Sequence, residues 1–291
     1  MLDDEVELIL DARSVLGEGA IWDGKRGVLY WVDIDAGLVH VYDPATSVDR
    51  SLSVGQPVGT VVPRASGGLM LAVRDGFMSL DVETGATRLV AVPAGHDPEN
   101  LFNDGKCDPA GRFWAGTKAC PSRKGALFRL DWDLSVHRML DGIRTSNGIV
   151  WNSDKKTMYY IDTPTMRIDA FDYDLNTGNV SKRRAAVSVP QEYGHPDGMT
   201  IDAEGKLWVA HWDGFCVCRW DPVTGHLIQK IRMPVARPTS CAFGGPTLDD
   251  LYITSARIEL GEAALAKQPA AGGLFRIRPG ARGVSAFSFA G

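Results

Sequence analysis

A short polar corner recurs six times along this chain. It reads GEGAIW from Gly17, VGTVVP from Val58, FNDGKCD from Phe102, TSNGIVW from Thr145, HPDGMTID from His195 and PTSCAFG from Pro238. Aligned on Glu18, Thr60, Asn103, Asn147, Asp197 and Ser240, the corners are 42, 43, 44, 50 and 43 residues apart. A period of this size marks a repeat architecture, in which each unit buries its faces only against its neighbours. Two units share a longer phrase, FNDGKCDPAGRFWAGT at 102–117 and PDGMTIDAEGKLWVAH at 196–211, each a corner, an Asp-x-x-Gly turn and a Trp-centred strand.

Between corners the chain is written in brief runs rich in Val, Ile, Leu, Tyr and Trp. GVLYWVDI, GLVHVYDP, GLMLAV, GALFRLD, KTMYYID and DLYITS are examples, and turns such as YDPATS, DVETG, YDLNTG and WDPVTG end several of them. Such runs read as short strands, and so many of them mean an all-β fold. The one helix candidate is ELGEAALAKQ at 259–268. Six units, each with room for four strands, predict a six-bladed β-propeller with four-stranded blades, one domain over residues 1–291. A two-layer sandwich has no reason to repeat six times. EVELILDA at 5–12 and VSAFSFAG at 284–291 are the terminal strands expected to pair and close the ring.

Composition narrows the function. The 291 residues carry a formal charge of −5, which offers no basic footprint for nucleic acid or an anionic membrane. The acidic opening MLDDEVELIL is unlike a secretory signal, and no apolar run approaches the roughly 20 residues that span a bilayer. The expectation is a soluble, cytoplasmic protein. Five scattered cysteines are not a disulfide framework. Cys216 and Cys218, on one face of a strand, read as buried thiols rather than as half of a metal site.

In a propeller the innermost strands line a central channel, so equivalent corner residues ring one of its mouths. The six ring residues all bear oxygen and none is Lys or Arg. Two carboxylates and two amides converging on an axis repel unless a positive charge sits between them. Oxygen donors suit Ca²⁺, Mg²⁺ or Mn²⁺ and also accept Zn²⁺ or Fe²⁺. The competing reading of any single corner is a turn former, since Asn-Gly and Pro-Asp-Gly make turns unaided; Glu18 fits that reading least. No nucleophile elbow, zinc-protease helix or phosphate loop is present. His195 and His211 flank the Asp197 unit as rim candidates, with a plain strand-end histidine the rival reading for His211. Trp212 is either a pocket floor or the cover of a blade edge.

LGEGAIWD, LFNDGKCDPAGRFWAGT, TSNGIVW, YYIDT, HPDGMTIDAEGKLWVAHWDG, CAFGG, YITSAR and QPAAGGLFRI resemble the SMP-30/gluconolactonase/regucalcin family over nearly the whole chain. The resemblance implies a six-bladed propeller, one axial divalent metal ion, and hydrolysis of a small-molecule sugar lactone to its aldonic acid. It carries the family's metal ligands onto Glu18, Asn147 and Asp197, and a fourth position, facing the metal's water or the substrate, onto Asn103. Two substrate positions depart. An Arg common in the family is Leu101 here, and a Glu of regucalcin-like members falls near Pro121, which leaves Lys118 and Arg123 as contacts for the substrate. Loss of the Arg is expected to weaken polar-sugar recognition, or to shift it to a smaller or less hydroxylated ester. In the implied reaction Asp197, ahead of Glu18, takes the proton of the attacking water, and Asn103 bonds the developing oxyanion or holds the substrate. The alternatives are a non-enzymatic Ca²⁺-binding or regulatory propeller, and another esterase or phosphotriesterase on the same scaffold.

Overall fold

The repeated Asp-x-x-Gly-x-x-Trp phrase has a mechanical explanation. The computed structural model describes residues 5–120 and 124–291, and in it one carboxylate does two tasks. Asp202 Oδ1 accepts from the backbone N–H of Glu204 and Lys206, both at 2.9 Å, and closes the turn. Its Oδ2 accepts from the Trp208 indole at 3.0 Å and from Arg219 Nε at 2.8 Å. Asp108 repeats the device with Ala110 N, Arg112 N and the Trp114 indole, and adds the Tyr173 hydroxyl at 2.8 Å. The turn and the aromatic strand are thus tied through one buried side chain. Asp202→Ala strands the indole, the guanidinium and two turn N–H groups, and is expected to cost about 3–5 kcal/mol. The denaturant midpoint at unchanged m-value checks this; a loss under ~1 kcal/mol would mean the turn does not depend on its carboxylate.

Six four-stranded antiparallel sheets form the blades. Their innermost strands are Gly17–Asp23, Val58–Pro63, Phe102–Cys107, Ser146–Trp151, His195–Ile201 and Pro238–Gly244. These six carry the corners and are almost wholly buried. The outermost strands, such as Val180–Ser188 and Leu227–Arg232, are largely exposed. The core lies between blades. Phe77, Phe102, Phe113 and Phe128 belong to a cluster shared by the first three blades, and Trp208, Phe243 and Phe275 to one shared by the last two. The helix is a single short piece, Glu262–Lys267, inside the expected 259–268. No helix among the described residues is long and apolar enough to cross a membrane.

The ring closes between the two ends of the chain, with one correction to the expected partners. Glu7–Leu10 pairs antiparallel with Leu274–Ile277, Glu7 opposite Arg276 and Leu8 opposite Phe275. The segment 284–291 forms no strand. With Glu7–Leu10 as the outermost strand of the last blade, the place beside Leu274–Ile277 is already taken. The tail instead runs across the end of the channel away from the corners. There Phe289 is fully buried, and its N–H donates to Pro63 O at 2.8 Å while its carbonyl accepts from Ala65 N at 2.7 Å.

Every innermost strand slips register at its corner, between Glu18 and Ile21, Val58 and Thr60, Phe102 and Gly105, Asn147 and Ile149, Pro196 and Met199, and Pro238 and Ser240. A bulge bends a strand and re-aims its side chains. The glycine after the corner then allows close approach of the next blade. A Cβ on Gly148 would lie 2.5 Å from Met199 Cβ, and one on Gly198 2.6 Å from Ser240 Oγ.

Candidate metal centre and active site

Four of the six ring residues meet. Glu18, Asn103, Asn147 and Asp197 line one cavity of about 250 Å³, together with Lys118, His195 and Trp212. The other two turn into the channel wall. Thr60 Oγ1 donates to Gly105 O at 3.1 Å, and Ser240 packs on Gly198. Leu101 does not line the cavity; it lies just before the strand, where its carbonyl accepts from Lys118 N at 2.8 Å. Its assignment to the substrate is corrected accordingly. Arg123 and Pro121 lie outside the described residues. Of the two readings of His211 the strand-end one holds: it is fully buried and does not line the cavity, its Nε2 accepts from the Trp220 indole at 3.4 Å, and burial pushes it down to about 3. It is a neutral structural histidine. Cys216 and Cys218 are buried free thiols with their sulfurs 3.7 Å apart.

Leu16, Thr145, Thr163, Ile258 and Glu259 complete the lining, and sequence reasoning missed all five. It also missed the groups that hold the ring from behind. Asp33 accepts from Val15 N and Leu16 N at 2.8 and 3.1 Å, fixing the backbone that enters the Glu18 corner. Asp162 does the same for Arg144 N and Thr145 N before Asn147. Their signal was the Asp ending the second strand, in YWVD at 30–33 and YYID at 159–162. Thr163 Oγ1 accepts from Asn147 Nδ2 at 2.7 Å and donates to Pro196 O at 2.8 Å, joining the fourth corner to the fifth.

The amides are oriented. Asn103 Nδ2 donates to Ser146 O at 2.8 Å and to Asn147 Oδ1 at 2.9 Å. Both its hydrogens are committed, so Asn103 presents an acceptor oxygen. The expected bond from Asn103 to an oxyanion is therefore corrected, because an acceptor does not stabilise one.

The carboxylates are under stress. Glu18 and Asp197 are each only 4% exposed. Burial, reinforced by the charge of Asp104, pushes Glu18 up to about 8, against the pull of the Gly19 N–H and of Lys106 and Lys118. Burial pushes Asp197 well above the usual carboxylate range, and the charge of Glu18 adds to it. Asp104 is raised by burial, and its Oδ2 is buried with no hydrogen-bond partner.

These residues fit a hard divalent cation. Two carboxylates that disfavour their own charge face the same cavity as the Asn147 amide oxygen, and all are oxygen donors. Among the described residues no three His, Cys, Asp or Glu side chains are grouped for a metal; the donors that meet in this cavity are two carboxylates and two amides, with His195 also in the lining.

Residues 16–257 match the family described as SMP-30/Gluconolactonase/LRE-like region. Regucalcin of Xenopus laevis is 42% identical over 295 residues, covering 99% of this chain and 99% of its own. A solved luciferin-regenerating enzyme shares 31% identity with a TM-score of 0.90, covering 98% of this chain and 99% of its own. The structure of a calcium-binding protein, regucalcin from Agrobacterium tumefaciens, superposes with a TM-score of 0.92 at 26% identity, covering 97% and 96%.

Proposed function

Because the chain belongs to the SMP-30/gluconolactonase/LRE-like family, we propose that its mouth hydrolyses a lactone with a divalent cation held by Glu18, Asn147 and Asp197. The observation that carries this reading is the meeting of those three donors and Asn103 in one cavity from four different blades. When bound, such a cation polarises an ester carbonyl and acidifies water. Asp197 is the proton acceptor for the attacking water, because burial has already raised its affinity for a proton. Lys118 is the cationic side chain in the lining, and it takes over the stabilisation of the developing oxyanion. Asn103 accepts a hydrogen bond from the water or from a substrate hydroxyl. Thr163 and Asp162 position Asn147, and Asp33 positions the strand of Glu18. No serine or cysteine nucleophile is needed.

A Ca²⁺-binding propeller without catalysis stands as the second reading, since the Agrobacterium tumefaciens relative is described as a calcium-binding protein. Chelation separates the two. EDTA is expected to abolish acid release from a panel of sugar lactones, and re-addition of Ca²⁺, Mg²⁺, Mn²⁺ or Zn²⁺ singly to restore it. Calcium binding with no turnover on any lactone selects the second reading. An aryl ester and an organophosphate in the same panel test for another hydrolase. Turnover indifferent to chelation would overturn the metal site.

A further inference from the structure

The cavity has two unlike sides. Asn103, Lys118, Thr145, Asn147 and Thr163 form a polar side from the third and fourth blades. Across from them stand Leu16, Trp212 and Ile258, from the seam where the fifth, sixth and first blades meet. Beside these three apolar residues lie His195, paired opposite Trp212, and Glu259, next to Ile258, and one residue outside the lining joins the loops of Trp212 and Ile258. The Arg237 guanidinium lies 4.5 Å from the Trp212 ring centroid. Its Nε donates to Asp213 at 2.7 Å and its Nη1 donates to the Ile258 carbonyl. Nη1 is also 4.0 Å from Glu259. One planar fork therefore joins the loop after the second strand of the fifth blade to the loop that carries Ile258.

Both loops need holding. Asp213 has φ +59° and Glu259 φ +58°, left-handed conformations that are costly for residues bearing a Cβ. Such conformations persist where their surroundings over-determine them, and they cluster at working sites. The two strained residues are the ones next to Trp212 and Ile258, and both are bridged by Arg237. At 11% exposure, that side chain is well placed to hold them.

We infer that Arg237 is a positioning residue that staples an apolar wall onto the mouth, and that this wall makes the site prefer lactones bearing an apolar substituent over fully hydroxylated ones. The inference rests on the lactonase reading above. A ring hydroxyl turned toward Leu16, Trp212 and Ile258 finds no partner on those side chains, whereas an alkyl substituent placed there covers them. The lactone carbonyl then faces Lys118 and the ring donors. Lysine cannot replace arginine in this role, since a point ammonium lacks the planar fork that stacks on an indole while bonding two loops.

The test compares δ-decalactone with D-glucono-δ-lactone in the wild type, Arg237→Lys and Ile258→Ala, with metal present. The wild type is expected to favour the alkyl lactone in kcat/KM. Arg237→Lys lowers kcat/KM for the alkyl lactone about tenfold, mainly through KM, and changes that for glucono-δ-lactone by less than about twofold. Ile258→Ala, which trims the wall directly, shifts the ratio in the same direction. An alkyl δ-lactam, which binds without turnover, raises the melting temperature of the wild type and raises that of Arg237→Lys less. Equal losses on both substrates, or an unchanged ratio, overturn the inference while leaving the lactonase reading intact. No turnover of any lactone together with Arg237-dependent lactam binding sinks the lactonase reading and keeps the wall. Neither turnover nor lactam binding removes both.

Discussion

Replacing Asp197 by alanine is expected to reduce lactone hydrolysis by at least about 10³-fold while the propeller stays folded. Loss of a general base alone accounts for about 10²–10⁴, and this residue is also one of the three proposed cation donors. Retention of the fold follows from where the side chain points. The strand His195–Ile201 is held by its pairing with Leu207–Trp212, not by the carboxylate. Removing that carboxylate also removes a group whose charge is disfavoured by burial and, next, by the charge of Glu18. The metal-free variant is therefore expected to melt no lower than the wild type at about pH 8, a result foreign to an ordinary core deletion. Asp197→Asn separates the charge from the volume: it is expected to lose activity as fully and to gain more stability. Activity at the wild-type level in either variant would remove Asp197 from the reaction. A variant that fails to fold would show that the carboxylate is structural.

Legibility followed the physics of each element. The corners were readable because a bulge and a following glycine recur at a fixed step, and the inner and middle strands because burial on both faces makes them apolar runs. Outer strands such as Val136–Ile143 and Val180–Ser188 escaped notice, being exposed or half-buried along nearly all their length and so free to be polar. The tail misled for the opposite reason. Its alternating apolar residues look like a strand, but the N-terminal segment had taken the only vacant place in the last blade, and Phe289 is buried against other blades instead. At the ring, position alone did not decide direction. Thr60 reaches a carbonyl in the channel wall, and small Ser240 sits under Gly198, whereas the longer Glu18 and the amides reach the cavity. The orientation of Asn103 depends on Ser146 and Asn147, over 40 residues away, and no local pattern encodes it. Arg237 lies in MPVARPTS, a segment with no motif, and its role exists only because two distant loops converge on it.

The metal-free protein is expected to lose stability as pH rises from about 5 to about 9, and Glu18→Gln is expected to flatten that loss. The sign follows from proton counting. In the unfolded chain a glutamate titrates near 4.3. In the folded protein Glu18 holds its proton up to about 8, and Asp197 is displaced in the same direction. Between those values the folded state binds more protons than the unfolded one, so unfolding becomes easier with each increment of pH. Below the window both states are protonated and the difference vanishes. Above it the folded chain carries two buried charges at full cost. Surface carboxylates held low by local hydrogen bonds, Asp81, Asp133 and Asp174 among them, lose their contribution on the acid side of this window and do not mimic the effect. Thermal melts in EDTA across the range measure the slope, and the same melts with saturating divalent cation are expected to show it reduced or reversed, since a ligand that binds the folded state stabilises it by mass action. A metal-free wild type whose stability is level or rises between pH 5 and 9 would mean that the two carboxylates do not share a dry mouth, and the case for a cation between them would go with it.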